Sequence, residues 1–175
     1  LNRQFPGNFK GPTTRRVSAQ ILRHLIEDSD AIIDLHSAAK GRENMPQIRA
    51  DLAHVGSNLL AKSFGIEIIL DSKPPKGSLR KLANSMDIPS ITYEAGGADL
   101  LDHESVKVAI HGVLNSLRIM KMIPGKPNRP KFRVLASGSS WIRAGEGGLL
   151  DMFVICLGSV WDKFGRFVGR VQGGS

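Results

Sequence analysis

Three side chains suited to acid–base or metal chemistry follow apolar runs in this sequence. Asp34 and His36 come at the end of AIIDLH, and Glu94 ends the run ITYE before two glycines. A neutral imidazole is a common zinc ligand, and a nearby carboxylate can fix its tautomer. A carboxylate at a buried strand end can have a raised pKa, which suits a general base. Each has an ordinary alternative, since a loop histidine or a turn-capping glutamate gives the same local pattern.

Arginines in three further segments could bind an anion. Asn2 and Arg3 precede an aromatic-Pro-Gly turn, Arg80 lies near the start of SLRKLANSMD, and Arg49 lies in PQIRAD. Arginine binds carboxylates through paired hydrogen bonds, and helix N-termini attract anions. The ordinary interpretations are a surface loop for the first pair, an exposed cation for Arg80 and a salt bridge at a helix start for Arg49.

Apolar periodicity predicts the elements that would position these residues. Strands are expected at 31–35, 66–70 and 89–97, and helices from Thr13 or Thr14 to 26, and at 50–64, 78–87 and 104–120. Ser78 is a candidate cap for the third helix. Alternating strands and helices predict an α/β layer with a mostly parallel sheet. Ligands of open sheets gather beyond the carboxyl ends of strands, which is where His36 and Glu94 both stand.

The chain changes character after a Pro/Gly/Lys-rich linker at 123–131. We expect a catalytic α/β domain over residues 1–125 and a small all-β domain over 126–175, because short β-rich runs there are separated by glycine turns. Cys156 lies in the apolar run MFVICLG and is interpreted as a core residue rather than a nucleophile.

Composition restricts the partners and the compartment. The net charge is +8 and the pI is about 10.0, which favours anionic partners. Aromatic residues make up 6% and do not alternate with basic ones, so we expect no nucleic-acid partner. No apolar run reaches the roughly 18 residues of a membrane span, so we expect no membrane association. A single cysteine gives no intrachain disulfide and fits a cytoplasmic location.

The order of these motifs resembles a known family. N-R…D-L-H…S-L-R…E-x-G-G, together with DLHSAAKGRENMPQIRADL and SLRKLANSMDIPSITYEAGG, resembles the succinylglutamate desuccinylase/aspartoacylase family of zinc carboxypeptidase-like hydrolases. The resemblance extends over almost the whole chain. It implies a zinc-carboxypeptidase-like fold, in which helices flank a mixed, mostly parallel sheet and a small all-β module follows.

The resemblance also implies roles for individual residues. His36 matches a ligand of the single Zn²⁺ ion, and Glu94 matches the general base. Asn2 and Arg3 match the pair that binds the substrate carboxylate, and Arg80 resembles a further substrate-binding arginine. The implied reaction removes the acyl group from a small anionic N-acyl amino acid. N-succinylglutamate and N-acetyl-diaminobutyrate both suit an arginine clamp, and N-acetylaspartate is the least favoured.

One part of the family pattern is missing from the 175 residues. The family takes two zinc ligands from an H-x-x-E motif, which should lie upstream of Leu1. We therefore interpret the chain as an internal fragment, with its β module also cut, and expect it to be inactive alone. The alternatives are a carboxypeptidase-like peptide hydrolase and a non-catalytic anion-binding module of the same fold. The sequence leaves open whether the protein forms a homo-oligomer.

Overall fold

The computed structural model describes residues 1–99, 101–138, 140, 159–161 and 167–170. Four α-helices lie among these residues: α1 Thr13–Ile21, α2 Val55–Phe64, α3 Leu79–Ser85 and α4 His103–Ile119. A π-helical stretch, Leu22–Ile26, continues α1. The described strands are β1 Ile32–His36, β2 Glu43–Ala50, β3 Ile68–Asp71, β4 Ser90–Gly97, β5 Val134–Ala136, β6 Ser159–Trp161 and β7 Phe167–Arg170.

Within the described residues, five strands form one sheet in the order β1-β4-β2-β3-β5. The pairs β1–β4, β2–β3 and β3–β5 are parallel, whereas β2–β4 is antiparallel. This arrangement confirms the mixed, mostly parallel sheet flanked by helices. Strands β6 and β7 form a separate antiparallel pair.

The chain divides into two compact units, Leu1–Ser137 and Gly138–Ser175. The first unit includes β5, which follows the predicted boundary between residues 125 and 126. The boundary itself stays a prediction. Cys156 and most of the residues assigned to the all-β module lie outside the described residues.

One face of the main sheet carries the larger apolar core. Alternate residues of the central strands point to this face, and they pack against helix α2. Its buried members are Ile48, Ala50, Leu60, Ala61, Phe64, Ile66, Ile69, Ile91, Tyr93 and Ala95. The ring of Phe64 stacks on Tyr93 with centroids 5.4 Å apart. Helix α4 approaches this ring closely because Gly112 has no side chain, and a Cβ there would lie 2.0 Å from Phe64.

The opposite face is apolar at one end and polar at the other. Ile32 at the start of β1 packs with Ile26, Ala83 and Ile88, which come from the π-helical stretch, from α3 and from the loop after it. Two residues further along the same face of β1 is Asp34, and then His36. The helices therefore cover the beginning of this face, and the polar side chains occupy its carboxyl end.

The structure differs from the sequence prediction around β2. Residues 43–50 form strand β2, which the apolar spacing did not predict. The spacing predicted a helix that begins at residue 50. Helix α2 starts at Val55 instead, and its apolar residues Val55 and Leu59 are exposed. Small residues replace them in the contact, since Ser57 and Ala61 are fully buried.

Helix α4 likewise does not bury its large apolar side chains. The helix turns small or polar residues inward, with Ser105, Gly112, Asn115 and Ser116 buried. Val106 and Ile110 are 40% and 54% exposed, and with Leu35 of β1 they line an open groove of about 600 Å³. No helix among the described residues is long and apolar enough to cross a membrane.

We predict that replacing Tyr93, the chain's sole tyrosine, by Phe changes how stability depends on pH. Its hydroxyl donates to the Ser105 carbonyl at 2.9 Å, and burial raises the pKa of Tyr93 from 10.0 to about 12. Between these values the unfolded chain releases the phenolic proton and the folded chain keeps it. The native protein therefore loses about 2–3 kcal/mol of unfolding free energy over this interval.

Tyr93→Phe should lack this alkaline loss, although it costs about 0.5–1.5 kcal/mol at neutral pH through the lost hydrogen bond to Ser105. The measurement is denaturant unfolding of both proteins across the interval. Equal alkaline slopes for the two proteins would contradict the prediction.

Candidate functional site

The pairing of β1 with β4 places the three candidate residues together. His36 is directly opposite Glu94, and Asp34 is opposite the buried Thr92 on the same face. The Nε2 atom of His36 lies 3.0 Å from Asp34 Oδ2, and its Nδ1 atom lies 3.6 Å from Glu94 Oε1. The imidazole therefore stands between two carboxylates, one on each ring nitrogen.

These carboxylates hold the proton of the His36 ring strongly. The hydrogen bond with Asp34, followed by the contact with Glu94, raises the pKa of His36 from 6.5 to about 10. Without a metal ion the ring is an imidazolium at neutral pH. Of its two contacts with carboxylates, only the one with Asp34 is of hydrogen-bond length.

A β-bulge in β2 adds Asn44 to the site. The register of β2 on β4 shifts between Asn44 and Gln47, so that Asn44 is opposite Gly96 while Gln47 is opposite Glu94. The extra residue turns Asn44 to the face of Glu94, and its side chain donates to Glu94 Oε2 at 3.0 Å. Sequence reasoning missed this contact. Pro46 was the available signal, because proline inside a sheet marks a bulge or an edge.

Arg49 of β2 lies on the same face. It is opposite Thr92, and its Nε atom lies 3.9 Å from Glu94 Oε1. The carboxylate of Glu94 is thus bonded through one oxygen to Asn44 and faces His36 and Arg49 with the other.

The N-terminal turn reaches the site through Asn2. Its side-chain oxygen accepts from the Leu79 backbone N–H at 2.8 Å, and its amide donates to Asp34 Oδ2 at 3.4 Å. Arg3 is exposed, and its guanidinium donates to the neighbouring carbonyl of Asn2. The structure therefore brings Asn2 to the predicted cluster, whereas Arg3 points its charge back along its own turn.

Arg80 lies behind the site in a buried position. It is 7% exposed, and it donates to the carbonyl and hydroxyl oxygens of Ser72 at 3.0 and 3.1 Å. Burial, and then the charge of Arg49, hold the pKa of Arg80 below its usual value. The predicted cap of the helix that carries it is confirmed, because Ser78 accepts from the Lys81 N–H at 3.2 Å.

The surroundings of His36 fit those of a zinc-binding histidine. A histidine that hydrogen-bonds a carboxylate through one ring nitrogen is the usual outer arrangement of zinc-binding histidines. His36 bonds Asp34 through Nε2, and its Nδ1 atom faces Glu94 beyond hydrogen-bond distance. In the part of the chain that the structure describes, no group of three or more His, Cys, Asp or Glu side chains forms a complete metal centre.

Comparisons with known proteins identify relatives over the same region. A family model described as the succinylglutamate desuccinylase/aspartoacylase catalytic domain matches residues 1–120. The N-alpha-acetyl-L-2,4-diaminobutyric acid deacetylase of Halomonas elongata is 25% identical over 98% of this chain and 53% of its own length. The chain therefore spans about half the length of the curated relative that it matches.

Two solved structures share the fold. A succinylglutamate desuccinylase from Silicibacter sp. TM1040 superposes with a TM-score of 0.72 at 19% identity, covering 99% of this chain and 56% of that one. A succinylglutamate desuccinylase/aspartoacylase from Rhodobacter sphaeroides gives 0.64 at 25% identity, covering 74% and 40%. These matches bear out both the zinc-carboxypeptidase-like fold and the family resemblance.

We predict that Gly77→Ala displaces the N-terminal turn from the site. Gly77 has a φ of +72°, and a Cβ there would lie 2.5 Å from the Arg3 carbonyl oxygen. Gly41→Ala is the matched control, because Gly41 has a φ of +70° but a Cβ there meets nothing within 4 Å. The control should lose about 1–2 kcal/mol from backbone strain alone.

Gly77→Ala should lose more stability than this control and should also release the Leu79 amide, which Asn2 holds. Thermal unfolding and hydrogen exchange of the Leu79 amide measure the two effects. Equal exchange rates of the Leu79 amide in both variants would show that Gly77→Ala leaves the Asn2–Leu79 hydrogen bond intact, which would contradict the prediction.

Proposed function

This chain belongs to the succinylglutamate desuccinylase/aspartoacylase family, and we propose that it supplies most of the active site of a zinc-dependent deacylase acting on small N-acyl amino acids. The named relatives are deacylases, a deacetylase and a desuccinylase. The observation that carries the proposal is that His36 and Glu94 are directly opposite each other on β1 and β4. Asp34 holds His36, and Asn44 holds Glu94.

His36 is the proposed zinc ligand of this chain. Asp34 holds its Nε2 atom and leaves Nδ1 for the metal. The remaining protein ligands come from outside the residues that the structure describes. Zinc bound there would supply Lewis-acid polarisation of the substrate carbonyl and would lower the pKa of its bound water toward neutrality.

Glu94 is the proposed general base. Its Oε2 atom is held by the Asn44 amide, so its Oε1 atom stays directed toward His36. In that position Oε1 takes a proton from the attacking water and later passes it to the leaving amine. Fixing one oxygen removes rotational freedom that the carboxylate would otherwise lose during the reaction.

Asn2, Arg3 and Arg80 are the proposed substrate-binding residues. Asn2 is held between Leu79 and Asp34, at the border of the row. Its neighbour Arg3 is exposed, and it would turn toward an arriving carboxylate by breaking its contact with the Asn2 carbonyl. Arg80 contributes a buried positive charge whose position is set by Ser72.

We predict that Glu94→Gln lowers kcat by about 100- to 10,000-fold, the usual contribution of a general base. Asn44→Ala should lower kcat by about 10-fold with little change in KM, because it only orients Glu94. The assay follows deacylation of N-acetyl-L-2,4-diaminobutyrate and N-succinylglutamate by the longest natural protein that contains this chain. Glu27→Gln, an exposed glutamate, is the control.

Full activity of the Glu94→Gln variant would remove the proposed base. Cleavage of unmodified peptides in preference to both N-acyl amino acids would favour a peptide hydrolase. Binding of these substrates without any turnover would favour a non-catalytic module.

We also predict that Asp34→Ala weakens zinc binding by about 10- to 100-fold, the usual loss when the carboxylate behind a zinc-bound histidine is removed. Competition with a chromogenic chelator measures the affinity in the same protein. Asp28→Ala, at an exposed position, should leave it unchanged. An unchanged affinity in Asp34→Ala would exclude the proposed role of Asp34.

A further inference from the structure

Arg49 has a guanidinium that its ion pair with Glu94 leaves incompletely hydrogen-bonded. Its Nε atom is shielded from solvent and makes no hydrogen bond, although 40% of its side chain is exposed. A shielded N–H without an acceptor is unfavourable, because it has lost its hydration without replacement. The Oε1 atom of Glu94 does not relieve this, since it lies 3.9 Å away.

A second guanidinium lies close to the first. Arg80 is fixed on Ser72 by two hydrogen bonds, and the Ser72 N–H donates at 2.8 Å to the carbonyl of Ala50, the residue after Arg49. The charge of Arg49 accordingly lowers the pKa of Arg80. The charges of Asp51, Asp34 and Glu94 offset part of the repulsion at Arg80, but the shielded Nε atom of Arg49 still lacks an acceptor. A planar carboxylate suits such groups, because it accepts parallel hydrogen bonds from the fork of an arginine.

The sheet register directs this charge to the reacting groups. Arg49, Thr92 and Asp34 form one row across the three strands β2, β4 and β1, directly beside the row that contains Glu94 and His36. An anion on Arg49 would therefore lie on the β2 side of Glu94, opposite the side occupied by Asp34. A substrate bound there has its carboxylate one row away from the general base.

We propose that Arg49 binds a carboxylate of the substrate, together with Arg80, and thereby makes the site selective for N-acyl amino acids over neutral amides. This inference rests on the proposed deacylase function but concerns binding rather than turnover. The carboxylate could belong to the amino acid or to a dicarboxylic acyl group, since both present the same planar anion.

Binding of three matched probes tests the proposal. N-acetylglycine carries a carboxylate on the amino acid part, N-succinylglycinamide carries it on the acyl part, and N-acetylglycinamide carries none. We expect the wild-type protein to bind one of the charged probes at least 10-fold more tightly than the neutral one. Arg49→Gln should remove this preference, Arg49→Lys should keep part of it, and Arg16→Gln, at an exposed position of α1, should keep all of it.

A second comparison separates binding from a merely structural role. If Arg49 only held Glu94 in place, Arg49→Gln would have no further effect on probe binding in a Glu94→Gln background. We expect the same loss of at least 10-fold in both backgrounds. Equal binding of all three probes by the wild type would overturn the proposal. So would a loss of binding in Arg49→Gln that occurs only when Glu94 is intact.

Calorimetric binding is independent of turnover, so the two proposals can fail separately. Absence of deacylation with retained Arg49-dependent binding would contradict the proposed function alone. Deacylation that proceeds equally well in Arg49→Gln, with unchanged KM, would contradict this inference alone.

Discussion

The parallel pairing of β1 with β4 is the contact on which the site depends. It places His36 opposite Glu94 and Asp34 opposite Thr92, and it does so through backbone hydrogen bonds rather than side-chain flexibility. The same two strands bring their other face to the core, where Ile91 and Tyr93 are buried. The burial that stabilises the sheet therefore also holds the imidazole and the carboxylate at their mutual distance.

Other segments join this pair by different physical means. Strand β2 runs antiparallel to β4 and contributes Asn44 only because a bulge adds one residue to its register. The N-terminal turn is held by Asn2, whose side chain bridges the start of α3 and Asp34. The result is a site built from four segments of the chain, the N-terminal turn, β1, β2 and β4, so it forms only when the sheet forms.

Sequence patterns predicted the parts of the fold in which local spacing and burial agree. The apolar runs before His36 and Glu94 became β1 and β4, and Ser78 caps α3 as expected. The patterns failed where packing selects small residues. Helix α4 turns Gly112 toward Phe64 and leaves Ile110 exposed, because the close approach of two helices excludes a large side chain. The contact of Asn44 was missed, since its orientation depends on a register shift that only the nearby Pro46 indicates, and not on its own identity.

Alternation along β4 has a consequence for how this site can vary. Tyr93 and Glu94 are neighbours in sequence, yet Tyr93 belongs to the core and Glu94 to the opposite, polar face of the sheet. Deleting or inserting a single residue before them would exchange the two, burying a carboxylate and exposing an aromatic ring. Changes of chain length are consequently excluded from β1 and β4. Divergence in substrate preference has to arise by substitution on the polar face, or by length changes in the loops beyond the strand ends.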